Sequence, residues 1–397
     1  MRVLLLGASG YLGRFVADRL LADPAVQLTA LGRSDEADVR FDLSTGSPGA
    51  LTRFLDAVHP GVVINCAGAT RGGGRELIRH NVVATATVCE SLRRSGCGAR
   101  LVHLGCAAEY GPSQAGSSTG EDAVPRPGGP YGVSKLAGTE LVTASGLDAV
   151  VLRVFSPIGP GTPAGSPLGR LAEAMRRTMQ QGDSELRLNG LGVQRDFVDV
   201  RDIARAVHAA SLSAAQGIVN IGTGRAVRLR DVASLLARVA GYTGAVHEHG
   251  VAPGAPGSAD GPAGVTAGPG VVVPSPAGGP PSAHAVGAGA AAHAVGGPAH
   301  AGGPGHAGGP GHQGGPGHLG GPGGPAHPGG PGHPGHPGQP GPHQGSAPQP
   351  SAYPYPDGCG SWQQADVRTA RDRLGWRPRI GLEESLADIW MEAACRI

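Results

Sequence analysis

Four apolar residues, Val3–Leu6, stand near the start of the chain and stop at Gly7. An unbroken apolar run this short, ended by glycine, predicts a strand buried on both faces. Apolar positions then recur at helical spacing at Leu12, Val16 and Leu20, which predicts a helix over 12–21. This alternation continues. Further strands are predicted at Val26–Leu31, about Phe41, and at Val62–Asn65, Arg100–Leu104 and Ala149–Phe155. Between them, helices are predicted through Leu51, Leu55 and Val58, over Glu76–Arg94 and over Tyr131–Ala144. The first of these begins at Ser47-Pro48, a capping residue before a first-turn proline. Short strands alternating with helices predict an α/β fold with a doubly wound parallel sheet over 1–155.

Beyond residue 155 the pattern is more mixed. Ser166-Pro167 starts a helix that Gly182 ends, Asp199–Leu212 is helical, and Ile218–Ile221 is a strand. Leu229–Ala240 is a helix closed by Gly241, and Asp366–Leu374 and Leu382–Ala394 are helical. These predict a smaller mixed α/β lobe over 156–250 and 357–397, with 199–213 packing back on the first domain. Between its two parts, residues 251–356 hold 32 of the 71 glycines, 24 of the 36 prolines and 10 of the 16 histidines. They contain no Lys or Arg and one acid, Asp260. Such a segment buries too little apolar surface to offset its ordering entropy and is predicted to be a disordered insert. Its repeats GGPGHA, GGPGHQ and GGPGHL lack glycine at every third position, which excludes collagen. Removing it leaves 291 residues, enough for a good core.

Composition removes several function classes. The net charge is +2 with 16% charged residues, so there is no basic footprint for nucleic acid. No apolar run approaches the ~18 residues of a membrane span, and the N-terminal apolar stretch is too short for a signal peptide. Six scattered cysteines without C-x-x-C spacing fit a reducing cytoplasm. The insert's imidazoles recur every six residues and could gather a transition metal, or be an expanded repeat. No carboxylate cluster or cysteine accompanies them, so no metal ligands are assigned.

Candidate chemistry begins at Gly7-Ala8-Ser9-Gly10-Tyr11-Leu12-Gly13, a G-x-x-G-x-x-G between the first predicted strand and helix. Glycines there let the backbone approach a pyrophosphate, which the helix N-terminus attracts. With the strand–turn–helix context, this points to a Rossmann dinucleotide site. Where an acid would hold the ribose hydroxyl of NAD, Gly32-Arg33 stands instead. Arg33 could pair with a 2′-phosphate, which leans toward NADP, or be merely solvated. Asp42 and Leu43, after the short third strand, are placed to meet adenine. Of the 32 basic residues one is lysine, Lys135, and it closes Tyr131-x-x-x-Lys135. At i, i+4 the two side chains share a helix face. A phenol of pKa ~10 moves protons poorly at neutral pH unless a cation stabilises the phenolate, and lysine is such a cation.

On these and further blocks the chain resembles the extended short-chain dehydrogenase/reductases, the NAD-dependent epimerase/dehydratase group acting on nucleotide sugars. The blocks are GASGYLG (7–13), Asp42-Leu43, Asn65-Cys66-Ala67-Gly68, Asn81 and HLGCAAEYG (103–111). They continue with PYGVSK (130–135), LRVFSPIGPG (152–161), QRDFVDVRDIARA (194–206), VNIGTGRAVRLRDV (219–232) and ADVRTARDRLGWRP (365–378). Blocks 103–111 and 194–206 look most like GDP-4-keto-6-deoxy-mannose reductases and related sugar 4-ketoreductases. The resemblance implies Tyr131 and Lys135 as catalytic and Cys66, Ala67, Gly68 and Asn81 as cofactor contacts. It implies Arg195 and Ser156 as substrate contacts, a nucleotide-sugar partner and a homodimer.

Three departures matter. Cys106 stands where the family carries a catalytic Ser or Thr, and a thiol is the weaker donor. It is either a substitute polarising group or a small packed hydrophobe. Ala107 and Ala108 replace the Asp-Glu pair of the dehydratases, which argues against elimination chemistry. The insert occupies the place of a short loop that carries a substrate-gripping arginine. The expected activity is therefore NAD(P)-dependent reduction of a sugar C4 ketone. Epimerisation on the same residues is the near alternative, and a non-catalytic dinucleotide-binding sensor is the alternative of another class.

Overall fold

The computed structural model describes residues 1–248 and 362–395, and the predicted insert 251–356 lies outside them. The chain begins with β1 (Arg2–Leu6), α1 (Tyr11–Leu21), β2 (Gln27–Gly32), β3 (Val39–Arg40) and α2 (Pro48–Val58). It continues with β4 (Val62–Asn65), α3 (Gly74–Ile78), α4 (Ala84–Arg94), β5 (Arg100–Cys106), α5 (Pro130–Thr143) and β6 (Ala149–Val154). Then come β7 (Ser156–Ile158), α6 (Pro167–Gln181), β8 (Glu185–Leu188), β9 (Gln194–Asp199) and α7 (Val200–Leu212). The last elements are β10 (Gly217–Ile221), β11 (Ala226–Arg228), α8 (Leu229–Ala240), β12 (Ala245–Glu248), α9 (Arg368–Leu374) and α10 (Leu382–Ala394).

Seven strands form one parallel sheet in the order β10-β6-β5-β4-β1-β2-β3. The α/β, doubly wound Rossmann expectation is met. Both faces of β1 are covered, which explains its unbroken apolar run. Val3 and Leu5 pack with Val16, Leu20, Ile203 and Val207 on one side. Leu4 and Leu6 pack with Leu51, Leu55, Val88 and Leu92 on the other. The winding reverses between β1 and β4, and in open α/β sheets ligands bind at such a reversal, beyond the strands' C-terminal ends.

The helix predicted over 76–94 forms, with a local change of winding inside it. A π-helical turn, Arg79–Val83, separates α3 from α4. It abuts α5 closely: a Cβ on Gly138 would lie 2.7 Å from the Asn81 carbonyl oxygen. Such one-turn π segments occur often at functional sites.

Smaller sheets, β11-β9-β7 and the pair β12-β8, accompany a separate core of Leu171, Met175, Leu186, Leu236 and Leu386. Strand β9 escaped prediction because it buries Arg195, Asp196 and Asp199, residues that read as surface or loop. Their partners lie far off in sequence. Asp196 accepts from the N–H groups of Thr223 (2.7 Å), Gly224 (2.9 Å) and Ala365 (3.1 Å). Asp199 caps α7 at Arg201 N–H (2.8 Å) and accepts from Ser385 Oγ (2.6 Å). Asp202 accepts from the N–H groups of Arg379 and Ile380. Three aspartates, three residues apart, thus tie the C-terminal segment to the region around α7. Among the described residues, no helix is long and apolar enough to cross a membrane.

Both ends that flank the insert are anchored to one short stretch. Glu248 Oε1 accepts from Leu191 N–H at 3.0 Å, and Gln363 N–H donates to the Gln194 carbonyl at 3.1 Å. Deleting 251–356 and bridging with a few Gly-Ser residues is therefore expected to keep the fold. Loop closure changes by only ~0.6 kcal/mol per doubling of length, so the melting temperature should hold or rise slightly. A fall of many degrees by calorimetry would overturn this.

Candidate active site

At the sheet reversal the loop after β1 is wound tightly. Gly7 has φ +80°, and a Cβ there would lie 2.8 Å from Ala67 N. A Cβ on Gly13 would lie 2.0 Å from the Gly7 carbonyl oxygen. Only glycine permits this geometry, which sets the start of α1 directly over the loop. The first turn of a helix leaves its N–H groups without intrahelical partners, those of Tyr11 and Leu12 among them. They and the helix dipole form a cradle for an anion, so the residues present fit a dinucleotide pyrophosphate. The Tyr11 side chain turns away to the loop 159–162. Its hydroxyl lies 2.9 Å from Thr162 Oγ1, and burial pushes the phenol above its usual range.

Cys66, Ala67 and Gly68 follow β4 beside this loop. Asn65 Oδ1 accepts from Ala67 N–H (3.1 Å), so its Nδ2 donates to His103 Nδ1 (3.1 Å). Burial, with Lys135 nearby, holds buried His103 well below its usual pKa, hence neutral. Arg33 is exposed just past β2. Burial tends to raise the Asp42 carboxyl, but hydrogen bonds from Ser44 and the charges of Arg33 and Arg79 outweigh it and hold Asp42 below its usual range. Leu43 is buried.

The Tyr131 and Lys135 pair sits on the first turns of α5, where Pro130 follows the Gly129 cap. Lys135 is buried, and its Nζ donates to the Leu104 carbonyl at 2.6 Å. Burial pulls the ammonium below its usual range, while Glu109, Cys106 and Cys66 pull it back up. Cys106 ends β5, and its thiol is hydrogen-bonded with the Tyr131 side chain. Burial pushes that thiol up to about 11, so at neutral pH it is protonated and can donate. Asn81 is brought in by the π turn. Its Oδ1 accepts from Ala69 N–H (2.8 Å), and its Nδ2 donates to Ser134 Oγ (2.9 Å). Ser134 in turn donates to the Tyr131 carbonyl (2.8 Å). Tyr131, Lys135, Cys106 and Asn81 therefore meet at the ends of β4 and β5, next to the glycine loop.

Ser156 and Arg195 lie on adjacent parallel strands, with Ser156 opposite Phe197. Arg195 is buried, and its Nη1 donates to the Gln194 carbonyl.

Residues 3–222 match the model of the NAD dependent epimerase/dehydratase family. The chain belongs to this family. A relative from Kitasatospora kifunensis, dTDP-6-deoxy-L-talose 4-dehydrogenase (NAD(P)(+)), is 38% identical over 253 residues, covering 60% of this chain and 79% of the relative. GDP-6-deoxy-D-mannose reductase from Pseudomonas aeruginosa is 29% identical over 251 residues, covering 60% and 80%. Among solved structures, RMD from Pseudomonas aeruginosa complexed with NADPH superposes with a TM-score of 0.64 at 19% identity, covering 100% of this chain and 99% of that one. MoeE5 in complex with UDP-glucuronic acid and NAD gives 0.63 at 22% identity, covering 99% of each. At these identities the structural likeness speaks to the fold.

Some residues of this candidate site are not legible in the sequence. Ser134 lay inside the Y-x-x-x-K spacing but had no assigned role. Glu109 and Arg153 lie within family blocks, and no motif assigns them a role. Gln363 is buried and donates from Nε2 to the Ala107 carbonyl at 3.0 Å. It sits 256 residues from that partner, and no periodicity encodes such a contact.

Proposed function

We propose that this protein is an NAD(P)-dependent oxidoreductase that reduces the C4 ketone of a nucleotide-linked 6-deoxy sugar. The observation that carries this reading is the cluster of Tyr131, buried Lys135 and the Cys106 thiol next to the glycine loop. The names of the 38% and 29% identical relatives support the substrate class.

Gly7, Gly10, Tyr11, Leu12 and Gly13 hold the dinucleotide pyrophosphate through backbone groups, with Cys66, Ala67, Gly68 and Asn81 lining the far side. Asp42 and Leu43 meet the adenine. When bound, the reduced nicotinamide supplies a hydride for the ketone carbon. Tyr131 Oη gives its proton to the oxygen that becomes the new hydroxyl, and solvent returns it. The Lys135 ammonium stabilises the phenolate left behind. The Cys106 thiol donates to the ketone oxygen and builds up partial positive charge at carbon. Arg195 pairs with the diphosphate and Ser156 contacts the sugar. The exposed apolar side chains Ile78, Val83, Val133 and Leu141, on α3, the π turn and α5, support a homodimer through that face. The separated cysteines, free among the described residues, support a reducing, cytoplasmic setting.

The test is steady-state oxidation of NADPH by the full chain with a panel of nucleoside diphosphate 4-keto-6-deoxy sugars. Net NADPH consumption that Tyr131→Phe abolishes supports the reading. Turnover without net cofactor change would favour epimerisation, the second reading, which relatives such as the UDP-glucose 4-epimerase of Azospirillum brasilense (28% identical) keep in view. Binding without turnover would favour a sensor. Sedimentation velocity on the same preparation decides the dimer.

NADP over NAD is the preference we propose from Arg33. Replacing Arg33 with Asp should invert the NADPH/NADH ratio of kcat/KM, because a carboxylate would then face the 2′-phosphate. An unaltered ratio would reduce Arg33 to a solvated charge.

A further inference from the structure

Glu109 lies beside the candidate catalytic groups with a fully buried side chain, and its partner Arg153 is 1% exposed. A buried ion pair is seldom a source of stability, since desolvation offsets its attraction and an apolar pair of similar size does as well. Here both carboxylate oxygens are committed. Oε1 accepts from Cys106 N–H at 2.7 Å, and Oε2 accepts from Arg153 Nε at 2.7 Å. In return, Ala108 N–H donates to Cys106 Sγ at 3.4 Å. The turn 106–109 is thus a capping box in which the thiol takes the place of a serine hydroxyl.

The surroundings keep the carboxylate there. A Cβ on Gly105 would lie 2.8 Å from Glu109 Oε1 and 2.9 Å from Val151 Cγ1, so the residue before Cys106 must be glycine to admit it. The Arg153 guanidinium stacks 4.5 Å from the centre of the Tyr110 ring, and the Tyr110 hydroxyl donates to Asn220 Oδ1 at 2.8 Å. Three strands, β5, β6 and β10, therefore brace one carboxyl group. The groups facing Lys135 are Glu109 from the 106–109 turn, Cys106 and neutral His103 from β5, and Cys66 after β4. Glu109 is the carboxylate among them. Facing Cys106 are Tyr131 and Lys135 from α5, and Glu109.

We propose that Glu109 is a positioning residue for the ketone reduction: clamped by Arg153, it fixes the backbone and thiol of Cys106 and supplies the negative charge that faces Lys135. The proposal rests on the reductase reading above. One carboxylate then serves both partners of Tyr131. It favours the charged form of Lys135 and the protonated form of Cys106, and those are the forms the reaction uses. No group transfer to Glu109 is involved.

The test uses the full chain with NADPH and a nucleoside diphosphate 4-keto sugar over pH 6–10, in Glu109→Gln and in the double variant Glu109→Gln, Arg153→Gln. The double variant leaves no uncompensated buried charge and carries the test if the single variant fails to fold. In the double variant kcat should fall about tenfold with KM unchanged, because the thiol is displaced but the sugar contacts are intact. The alkaline limb of kcat should move toward lower pH, because Lys135 discharges sooner without its counter-charge. An unmoved alkaline limb overturns the proposal, whether kcat is intact or falls together with the melting temperature. Tyr131→Phe is the control: if it stays active, the reductase reading itself fails, whatever the Glu109 variants do.

Discussion

Replacing Lys135 with Met should lower kcat at pH 7 by about a hundred- to ten-thousand-fold, the span that a positioned acid–base group contributes. The reason is electrostatic. Tyr131 lies four residues before Lys135 on α5, and the ammonium is the buried cation that can stabilise its phenolate. A phenol without such a cation has a pKa of ~10 and moves protons poorly at neutral pH. In the oxidation direction, where Tyr131 must first lose its proton, the residual rate should climb with pH toward that value. The fold should survive. Methionine fills a similar volume, and the lost interaction is one hydrogen bond to the Leu104 carbonyl, which costs about 1–3 kcal/mol if left unmet. Turnover at pH 7 within tenfold of the parent, in a protein with native circular dichroism, would remove Lys135 from the mechanism.

Gly13→Ala should weaken dinucleotide binding sharply. The added Cβ would sit 2.0 Å from the Gly7 carbonyl oxygen and 3.0 Å from the Ala8 Cα, all backbone atoms with no side chain able to yield. Either the loop unwinds or the start of α1 moves outward, and both spoil the cradle. Overpacking of this kind costs about 1–3 kcal/mol, so NADPH should bind about ten- to a hundredfold more weakly. Gly73→Ala is the matched control, because its Cβ would meet nothing within 4 Å. Equal NADPH affinity in the two variants, read by fluorescence titration, would mean that the glycine loop does not hold the cofactor.

Legibility followed the range of each signal. The helix Leu229–Ala240 closed by Gly241, and the helix from Ser166-Pro167 to Gly182, were read correctly because their caps and periodicity are local. Ser166 Oγ does accept from Gly169 N–H, and Gly182 does adopt the left-handed conformation. The third strand was placed about Phe41 and is Val39–Arg40, a boundary that no local cap marks. The helix predicted over 76–94 forms, but its winding changes at 79–83. Nothing in its sequence announces the π turn, which accompanies the close approach of Gly138 on α5.

What the sequence by itself determined were features that depend on near neighbours. The G-x-x-G-x-x-G turn needs only the geometry of seven residues. The Tyr131–Lys135 spacing needs only one turn of helix. The alternation of buried strands with helices needs only periodicity, and it sufficed for the doubly wound sheet. The tertiary structure decided what depends on residues far apart in the chain. It paired Glu109 with Arg153 from the next strand, and it set Cys106 against Tyr131, 25 residues on. It also buried the charges of β9 by supplying partners as distant as Ala365 and Ser385. A buried charge is tolerable only where the fold brings it a partner, and a local sequence pattern carries no record of that partner.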